Sequence, residues 1–194
     1  MRVLITGASG NLGSQVARHL AAAGHELRLL VHKRPLLFDY SALPQATVCP
    51  GDLGNPATLK GICDGVDCVI HLAGVLFAPR PAHFLPLTNV GYVRNLLAVA
   101  QAAGVRKFIL VSFPHVEGET TPEHPARGEL QSATPVIHFR TRLEAEKLVL
   151  QASTTGLVPV VFRAGVVYGK GIKLVEGARR LLRRRLMATW RKPT

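Results

Sequence analysis

The first fourteen residues, MRVLITGASGNLGS, constrain the fold of this chain more than any other stretch. An apolar run over 3–5 is long enough for one buried strand, and three glycines follow at a spacing of two residues: Gly7, Gly10 and Gly13. Apolar residues then recur on one face of a helix: Leu12, Val16, Leu20 and Ala21. Glycine lets a backbone approach an anion, and a helix N-terminus directs free N–H groups at it. This order of strand, glycine turn and helix therefore predicts a phosphate cradle.

Composition places the chain among globular α/β proteins. Apolar residues make up 47% of its 194 residues and charged residues 19%, which suits one sizeable core. No apolar run approaches the eighteen or so residues that span a bilayer, and no signal-peptide core precedes Gly7. Three cysteines without CxxC spacing indicate reduced thiols. We therefore expect a cytoplasmic protein without a membrane span, and the scattered histidines indicate no metal site.

Apolar segments alternate with helical periodicity along most of the chain. The expected strands are 3–5, 26–31, 46–49, 67–74, 107–112 and 158–163. The expected helices start near 11 and 56 and then cover 87–103, 136–152 and 173–187, whereas 75–86 and 113–135 are expected to be loops. Strands that are apolar throughout and alternate with helices predict a parallel sheet with helices on both faces. The fold class is thus α/β with a Rossmann-type doubly wound sheet.

The end of the second strand carries the residues His32, Lys33 and Arg34, with no acid before Asp39. In many NAD-binding folds an acid at this place binds the adenosine ribose, whereas a nearby arginine favours the 2′-phosphate of NADP. The two fixed charges and the imidazole favour NADP as cofactor over NAD. The alternative interpretation is an ordinary solvated turn.

Two further strand ends carry candidate residues. Asp52 follows the third strand, where its carboxylate could accept the adenine amino group, although Asp52 or Asn55 could instead cap the next helix. After the fourth strand, Ala73 and Gly74 are small enough to let a cofactor approach the backbone. His71 is expected to be a satisfied interior histidine.

Five motifs resemble those of a known family. They are TGASGNLG (6–13), GDLGNP (51–56), VIHLAG (69–74), AAGVRKFILVS (102–112) and RAGVVYGKG (163–171). Together they resemble the extended or atypical short-chain dehydrogenases/reductases, the NAD-dependent epimerase/dehydratase group that includes sugar-nucleotide epimerases and NmrA-like proteins. The resemblance implies a bound dinucleotide, NADP or NAD. With the turns described above it gives these cofactor-site candidates: Gly7, Ser9, Gly10, Asn11, Leu12, Gly13, His32, Lys33, Arg34, Asp52, Leu53, Leu72, Ala73, Gly74 and Asn89.

The catalytic positions of the family are changed in this chain. The family uses a Ser or Thr after the fifth strand and a Tyr-x3-Lys pair on the next helix. Aligned through the motifs, Phe113 stands at the Ser/Thr place, His138 at the Tyr place and Arg142 at the Lys place, while Glu146 is retained. His138 and Arg142 are the catalytic candidates, because an imidazole titrates near neutrality and arginine supplies a positive charge. The alternative is a cofactor-binding fold without the family's chemistry.

The extent of the family resemblance along the chain gives the expected domain boundaries. Residues 1–172 form an NAD(P)-binding Rossmann domain, and 173–194 form a basic amphipathic helix and tail. Family members usually continue into a substrate-binding lobe, so here that lobe is expected to be largely missing and the sheet to lack a final strand. Sequence alone does not separate a naturally short protein from a fragment.

Much of the basic charge lies near the C-terminus. Of the net charge of +12, residues 173–194 carry +7, from eight Lys/Arg and one acid. A basic amphipathic helix can bind a membrane surface or nucleic acid, but a solvated helix face is the favoured interpretation, so nucleic acid is not favoured as a partner.

Two functions remain as predictions. The first is an oxidoreductase or epimerase-like protein with a degenerate site, and the alternative is a non-catalytic NAD(P)-dependent sensor of the NmrA-like type. The small-molecule substrate is unknown, and self-association is left open.

Overall fold

The computed structural model describes residues 1–43, 45–74, 80–132, 134–165, 167–169 and 173–184. Within these ranges six strands form one parallel sheet: β1 (Arg2–Thr6), β2 (Glu26–Val31), β3 (Ala46–Pro50), β4 (Cys68–His71), β5 (Lys107–Ser112) and β6 (Val158–Arg163). Their order across the sheet is β3-β2-β1-β4-β5-β6. The order reverses between β1 and β4, which is the place where doubly wound sheets open a crevice for ligands. The predicted Rossmann-type fold is confirmed.

Helices cover both faces of the sheet because alternate strand residues point to opposite sides. The helix α1 (Asn11–Ala22) packs on one face, over a buried group that includes Val3, Ile5 and Leu29. On the other face, buried residues of α3 (Tyr92–Ala102) and α4 (Ile137–Gln151) pack over Leu4 and Phe108. The carboxyl ends of β1, β4 and β5 therefore lie between α1 on one side and the α3–α4 pair on the other.

The region 81–102 differs from the expected loop and single helix. A short helix α2 (Pro81–Leu85) starts where a loop was expected, with proline at the first helical position, where its missing N–H costs nothing. A π-helical segment, Pro86–Gly91, then leads into α3. Three consecutive residues of that segment are buried: Thr88, Asn89 and Val90. Apolar periodicity does not register such a widened turn, so 87–103 read as one regular α-helix.

Two smaller expectations also need correction. The helix expected near position 56 is one 3₁₀ turn, Pro56–Leu59. The strand expected over 67–74 is shorter, because β4 ends at His71. The first and last helices start as expected: α1 at Asn11, and α5 (Lys173–Arg183) at the first residue of the basic segment.

The basic segment is described only up to residue 184. The described residues of α5 from 176 onward are exposed, as a solvated helix would be. The rest of the helix expected to reach 187, and Trp190, lie outside the described residues. Among the helices that the structure describes, none is long and apolar enough to cross a membrane. The division at residue 172 stays a prediction.

Candidate functional site

The glycine turn between β1 and α1 is held tightly against the end of β4. Gly7 has φ +78°, a left-handed conformation that favours glycine, and its carbonyl accepts a 2.8 Å hydrogen bond from the Gly10 N–H. A methyl group on Gly7 would lie 2.7 Å from the Ala73 backbone nitrogen. A side chain on Gly13 would overlap the Gly7 carbonyl. Close backbone contacts therefore require glycine at positions 7 and 13, where the strand order reverses between β1 and β4.

The start of α1 provides the donors of the predicted cradle. Its N-cap is Gly10, so no side chain caps the first turn. The N–H groups of Leu12 and Gly13 stand in that turn, where helix geometry leaves backbone donors without an intrahelical partner. Such donors and the positive end of the helix dipole favour a phosphate.

The basic turn after β2 lies beside the glycine turn. The Ser9 hydroxyl donates a 2.8 Å hydrogen bond to the Arg34 carbonyl, which ties the two turns together. The side chains of His32, Lys33 and Arg34 are exposed. Nε2 of His32 lies 3.5 Å from a carboxylate oxygen of Asp52, so one member of the basic turn faces an acid. Lys33 and Arg34 remain the cations available to a phosphate at this place.

Asp52 belongs to a turn that other side chains support. Its Oδ1 accepts a 2.8 Å hydrogen bond from the Gly54 N–H, while Asn55 caps the 3₁₀ turn by accepting from the Ala57 N–H at 3.2 Å. Asn95 on α3 donates to the carbonyl of buried Leu53 at 2.8 Å. Asn55, and not Asp52, therefore caps this 3₁₀ turn. The hydrogen bond from the adenine amino group to Asp52 stays a prediction.

Tyr92 is a neighbour of this turn that the sequence did not single out. Burial, and then the negative charge of Asp52, raise the pKa of the Tyr92 phenol. Tyr92 and Asn95 lie one turn apart at the start of α3, where both face this turn.

Arg142 of α4 reaches the end of β4. Its side chain is buried, and a methyl group on Gly74 would overlap its guanidinium. Burial lowers the pKa of Arg142, with an opposing effect from the charge of Glu146. The glycine at position 74 thus provides the room that this arginine needs, beside the half-buried Leu72 and Ala73.

His71 is buried at the end of β4, as expected, but only one of its two ring nitrogens has a hydrogen-bond partner among the described residues. Its Nδ1 lies 2.8 Å from the Thr6 hydroxyl, whereas its Nε2 has no partner among the residues that the structure describes. Burial, and then the charge of Arg142, lower the pKa of His71 to about 3. His71 is therefore neutral at physiological pH.

An aromatic cluster surrounds Phe113 and His138, the residues aligned above with the family's Ser/Thr and Tyr. The ring of Phe113 stacks on His138 with centroids 5.1 Å apart and planes 19° apart. Phe139 meets the edges of both rings, at 5.5 Å from Phe113 and 6.2 Å from His138, and His115 lies 6.0 Å from Phe139. Ser112 precedes Phe113 and lies on the face of the sheet that α3 and α4 cover, where it is 4% exposed. The imidazole of His138 is thus held against a phenyl ring.

Glu146 belongs to a buried ionic clasp. The Arg163 guanidinium donates to both carboxylate oxygens of Glu146, at 2.6–3.2 Å, and also pairs with Glu117. Burial alone would raise the pKa of Glu117, but hydrogen bonds from the N–H groups of Arg127 and Gly128 and the Arg163 charge lower it below its ordinary value. The clasp joins β6 and α4 to the segment after β5.

Asn89 connects α4 to the π-helical segment. Its Nδ2 donates a 2.9 Å hydrogen bond to the Thr141 hydroxyl, which donates in turn to the Ile137 carbonyl at 2.9 Å. Its Oδ1 is buried, and no described residue pairs with it. The predicted site residues thus lie on elements that meet at one edge of the sheet. The supporting residues Thr6, Tyr92, Asn95 and Thr141 escaped the sequence analysis, because single polar residues in apolar segments carry no pattern.

Known proteins match this chain along most of its length. A model of the NAD dependent epimerase/dehydratase family matches residues 3–192. A 2-alkyl-3-oxoalkanoate reductase of Stenotrophomonas maltophilia is 28% identical over 182 residues, covering 88% of this chain and 52% of that protein. A 3 beta-hydroxysteroid dehydrogenase/Delta 5-->4-isomerase of Mycobacterium tuberculosis is 28% identical over 187 residues, covering 88% and 48%.

A solved structure gives the same match in three dimensions. A short-chain dehydrogenase/reductase superfamily protein from Agrobacterium tumefaciens, with bound NAD, superposes with a TM-score of 0.65 and is 26% identical. The superposition covers 84% of this chain and 48% of that one. The chain thus spans about half the length of the relatives that it matches.

Proposed function

Because the chain belongs to the NAD dependent epimerase/dehydratase family, we propose that it binds NADP(H) or NAD(H) at the carboxyl edge of its sheet and is the cofactor-binding part of an oxidoreductase or epimerase-like protein. The close packing of Gly7 against the backbone of Ala73 is the observation that supports this proposal. It leaves only backbone atoms at the place where the strand order reverses between β1 and β4, beside the start of α1, whose first turn has no side-chain cap. These residues fit a dinucleotide.

In this proposal, different residues contact the adenine half, the diphosphate and the nicotinamide half of the cofactor. The N–H groups at the start of α1 hold the diphosphate, Asp52 and Leu53 border the adenine, and Ala73, Gly74 and Asn89 border the nicotinamide half. The nicotinamide supplies or accepts the hydride. This chain's residues orient it and exclude water from its reactive face.

We assign NADP as the preferred cofactor on the charges after β2. Lys33 and Arg34 are exposed beside the glycine turn, and Ser9 fixes the Arg34 backbone there. Replacing both with alanine removes two charge-assisted contacts to the 2′-phosphate, so NADPH affinity should fall at least tenfold while NADH affinity stays within about twofold. Parallel fluorescence titrations measure both, with Arg18→Ala, an exposed arginine of α1, as control. An equal loss for the two cofactors would reject the assignment.

In this proposal, His138 is the residue that exchanges a proton with the substrate. A neutral or protonated imidazole can exchange a proton with a substrate oxygen while the hydride moves, and Arg142 adds positive charge nearby. The apolar surroundings of His138 (Phe113 and Phe139) favour a lipophilic substrate. The two relatives are named for 2-alkyl-3-oxoalkanoates and 3 beta-hydroxysteroids, so we propose a lipophilic carbonyl or hydroxyl compound.

A non-catalytic cofactor sensor is the second candidate. The observation in its favour is Phe113, whose phenyl ring brings no hydroxyl to the substrate and stacks directly on His138. A protein of this kind binds the cofactor and changes its contacts with a partner protein, with no turnover.

One variant separates the two candidates. NADPH oxidation with a panel of 3-oxo acids and 3-oxosteroids is measured for the unaltered chain and for His138→Ala, and NADPH affinity is measured in parallel. Catalysis predicts turnover that falls 10²–10⁴-fold in the variant at unchanged affinity. Full turnover in His138→Ala would remove His138 from the mechanism. Binding without turnover on the whole panel would favour the sensor.

A further inference from the structure

Four buried side-chain atoms have no hydrogen-bond partner in the described parts of the chain: His71 Nε2, Asn89 Oδ1, Ser112 Oγ and Arg142 Nε. Their residues are 1%, 1%, 4% and 7% exposed. Buried polar groups are ordinarily paired, and leaving one unpaired is costly. These four atoms therefore have hydrogen-bonding capacity that the described residues do not use.

The four residues belong to the same layer of the molecule. His71 alternates with Val69 along β4, and Ser112 alternates with Phe108 and Leu110 along β5, and those three apolar residues belong to the core under α3 and α4. Arg142 reaches this layer from α4, close enough for its charge to act on His71. Asn89 enters it from the π-helical segment, bonded to the residue preceding Arg142. We call this set the polar recess.

Donors outnumber acceptors in the polar recess. The Thr6 hydroxyl accepts from the Ala73 N–H at 3.3 Å and has its proton to give to His71 Nδ1, which leaves Nε2–H as a donor. Arg142 Nε–H and the Ser112 hydroxyl are donors as well. Asn89 Oδ1 is an acceptor, because the Thr141 hydroxyl, committed to the Ile137 carbonyl, takes the amide N–H, and the Ser112 hydroxyl can accept as well as donate.

Arg142 has no direct ion-pair partner within the described ranges. No carboxylate there lies within ion-pair distance of it, and Glu146, one turn along α4, gives its carboxylate to Arg163. The charge of Glu146 still favours the charged form of Arg142, but a buried charge without a direct partner is costly unless an opposite charge joins it. Three inward donors and one such charge are the chemistry that recognises an oxyanion.

We propose that the polar recess is an oxyanion site, in which Arg142, Ser112 and His71 bind a carboxylate or phosphate group. The group belongs to a substrate, because the proposed function places the diphosphate of the cofactor at the start of α1 and its 2′-phosphate beside Lys33 and Arg34. The site does not depend on nucleotide binding, and it gives Arg142 a role beyond adding charge near His138.

The test follows the thermal stability of the chain in sodium acetate, sodium phosphate and sodium chloride at equal ionic strength. An anion that binds only the folded chain raises its midpoint with the logarithm of concentration. We expect this rise with acetate or phosphate and not with chloride. Arg142→Met removes the charge and should abolish the rise, whereas Arg140→Met, an exposed arginine on the same helix, should keep it.

Saturating NADPH separates this site from the cofactor site. A rise that persists in the NADPH complex supports a substrate site beside the bound cofactor, and a rise that NADPH removes would overturn it, because the cofactor then fills the recess itself. If neither NADPH nor NADH binds, the proposed function fails but the anion response still stands as measured.

An equal response in the unaltered chain and Arg142→Met would overturn the oxyanion site, as would an equal loss in Arg140→Met. If Arg142→Met does not fold, Ser112→Ala decides. Loss of one hydrogen bond to a charged group should weaken anion binding roughly tenfold or more. Unchanged binding in Ser112→Ala would then count against the proposal.

Discussion

Two glycines of this chain have the same left-handed backbone but different surroundings. Gly7 has φ +78° and Gly24 has φ +79°. A side chain on Gly7 would press on the backbone at the end of β4, whereas nothing lies within 4 Å of the place where a side chain on Gly24 would stand. Only Gly7 therefore carries a requirement for space as well as one for conformation.

The pair gives a matched test of the glycine turn. Gly24→Ala should cost about 1–2 kcal/mol of the free energy of unfolding, the strain of a left-handed non-glycine residue. Gly7→Ala should cost about 1–3 kcal/mol more, because the added methyl group meets backbone. Urea unfolding measures both values, and NADH titration should show binding lost in Gly7→Ala and retained in Gly24→Ala. Equal behaviour of the two variants would contradict the packing described for Gly7.

His71 gives a pH dependence that follows from its burial. Its pKa of about 3 in the folded chain lies below the ordinary 6.5, so between these values the unfolded chain binds more protons. Stability is then lost as pH falls below about 6.5, by about 2 kcal/mol at pH 5. The variant His71→Gln should show that much less loss between pH 7 and pH 5 in urea unfolding. An identical loss in variant and unaltered chain would show that His71 titrates normally.

At the scale of elements, the ionic clasp holds β6, α4 and the segment after β5 together. Arg163→Met leaves the carboxylate of Glu146, which is 0% exposed, without its cation. Removing one partner of a buried pair costs about 3–5 kcal/mol. Urea unfolding should show a loss of this size.

The control for the clasp is an exposed ion pair of the same chemistry. Arg106 pairs with Asp67 at 2.7 Å, with 75% of the Arg106 side chain exposed. Arg106→Met should cost less than about 1 kcal/mol. A similar small cost in Arg163→Met would mean that the clasp contributes no more than a surface pair.

The elements show where sequence patterns are informative. Apolar runs and glycine spacing predicted all six strands of the described sheet and the start of α1, because burial on both faces and close backbone approach leave a mark in composition. The π-helical segment left none, since its widened turn depends on the packing of Asn89 against Thr141, which is 52 residues away.

The candidate site was predictable to the same limited degree. The glycines, the basic turn and Asp52 follow strands, where a parallel sheet gathers its strand ends. The fit of Arg142 to Gly74 and the pairing of His71 with Thr6 join residues more than sixty positions apart, and no local pattern records them. The polar recess was therefore visible only in three dimensions.

For the molecule as a whole, the central claim is that the carboxyl edge of the sheet binds the nucleotide. The proposal puts the diphosphate beside α1, and the opposite edge of the sheet lies near Gly24 and Glu26. The claim therefore concerns where on the sheet the nucleotide binds, and not only how tightly it binds.

Amide hydrogen exchange with and without saturating NADH tests that location directly. We predict slower exchange in peptides that cover residues 7–14 and 72–74, and unchanged exchange in peptides that cover 22–27 and 173–183. Slower exchange only outside the glycine turn, or no change anywhere in the folded chain, would contradict the account.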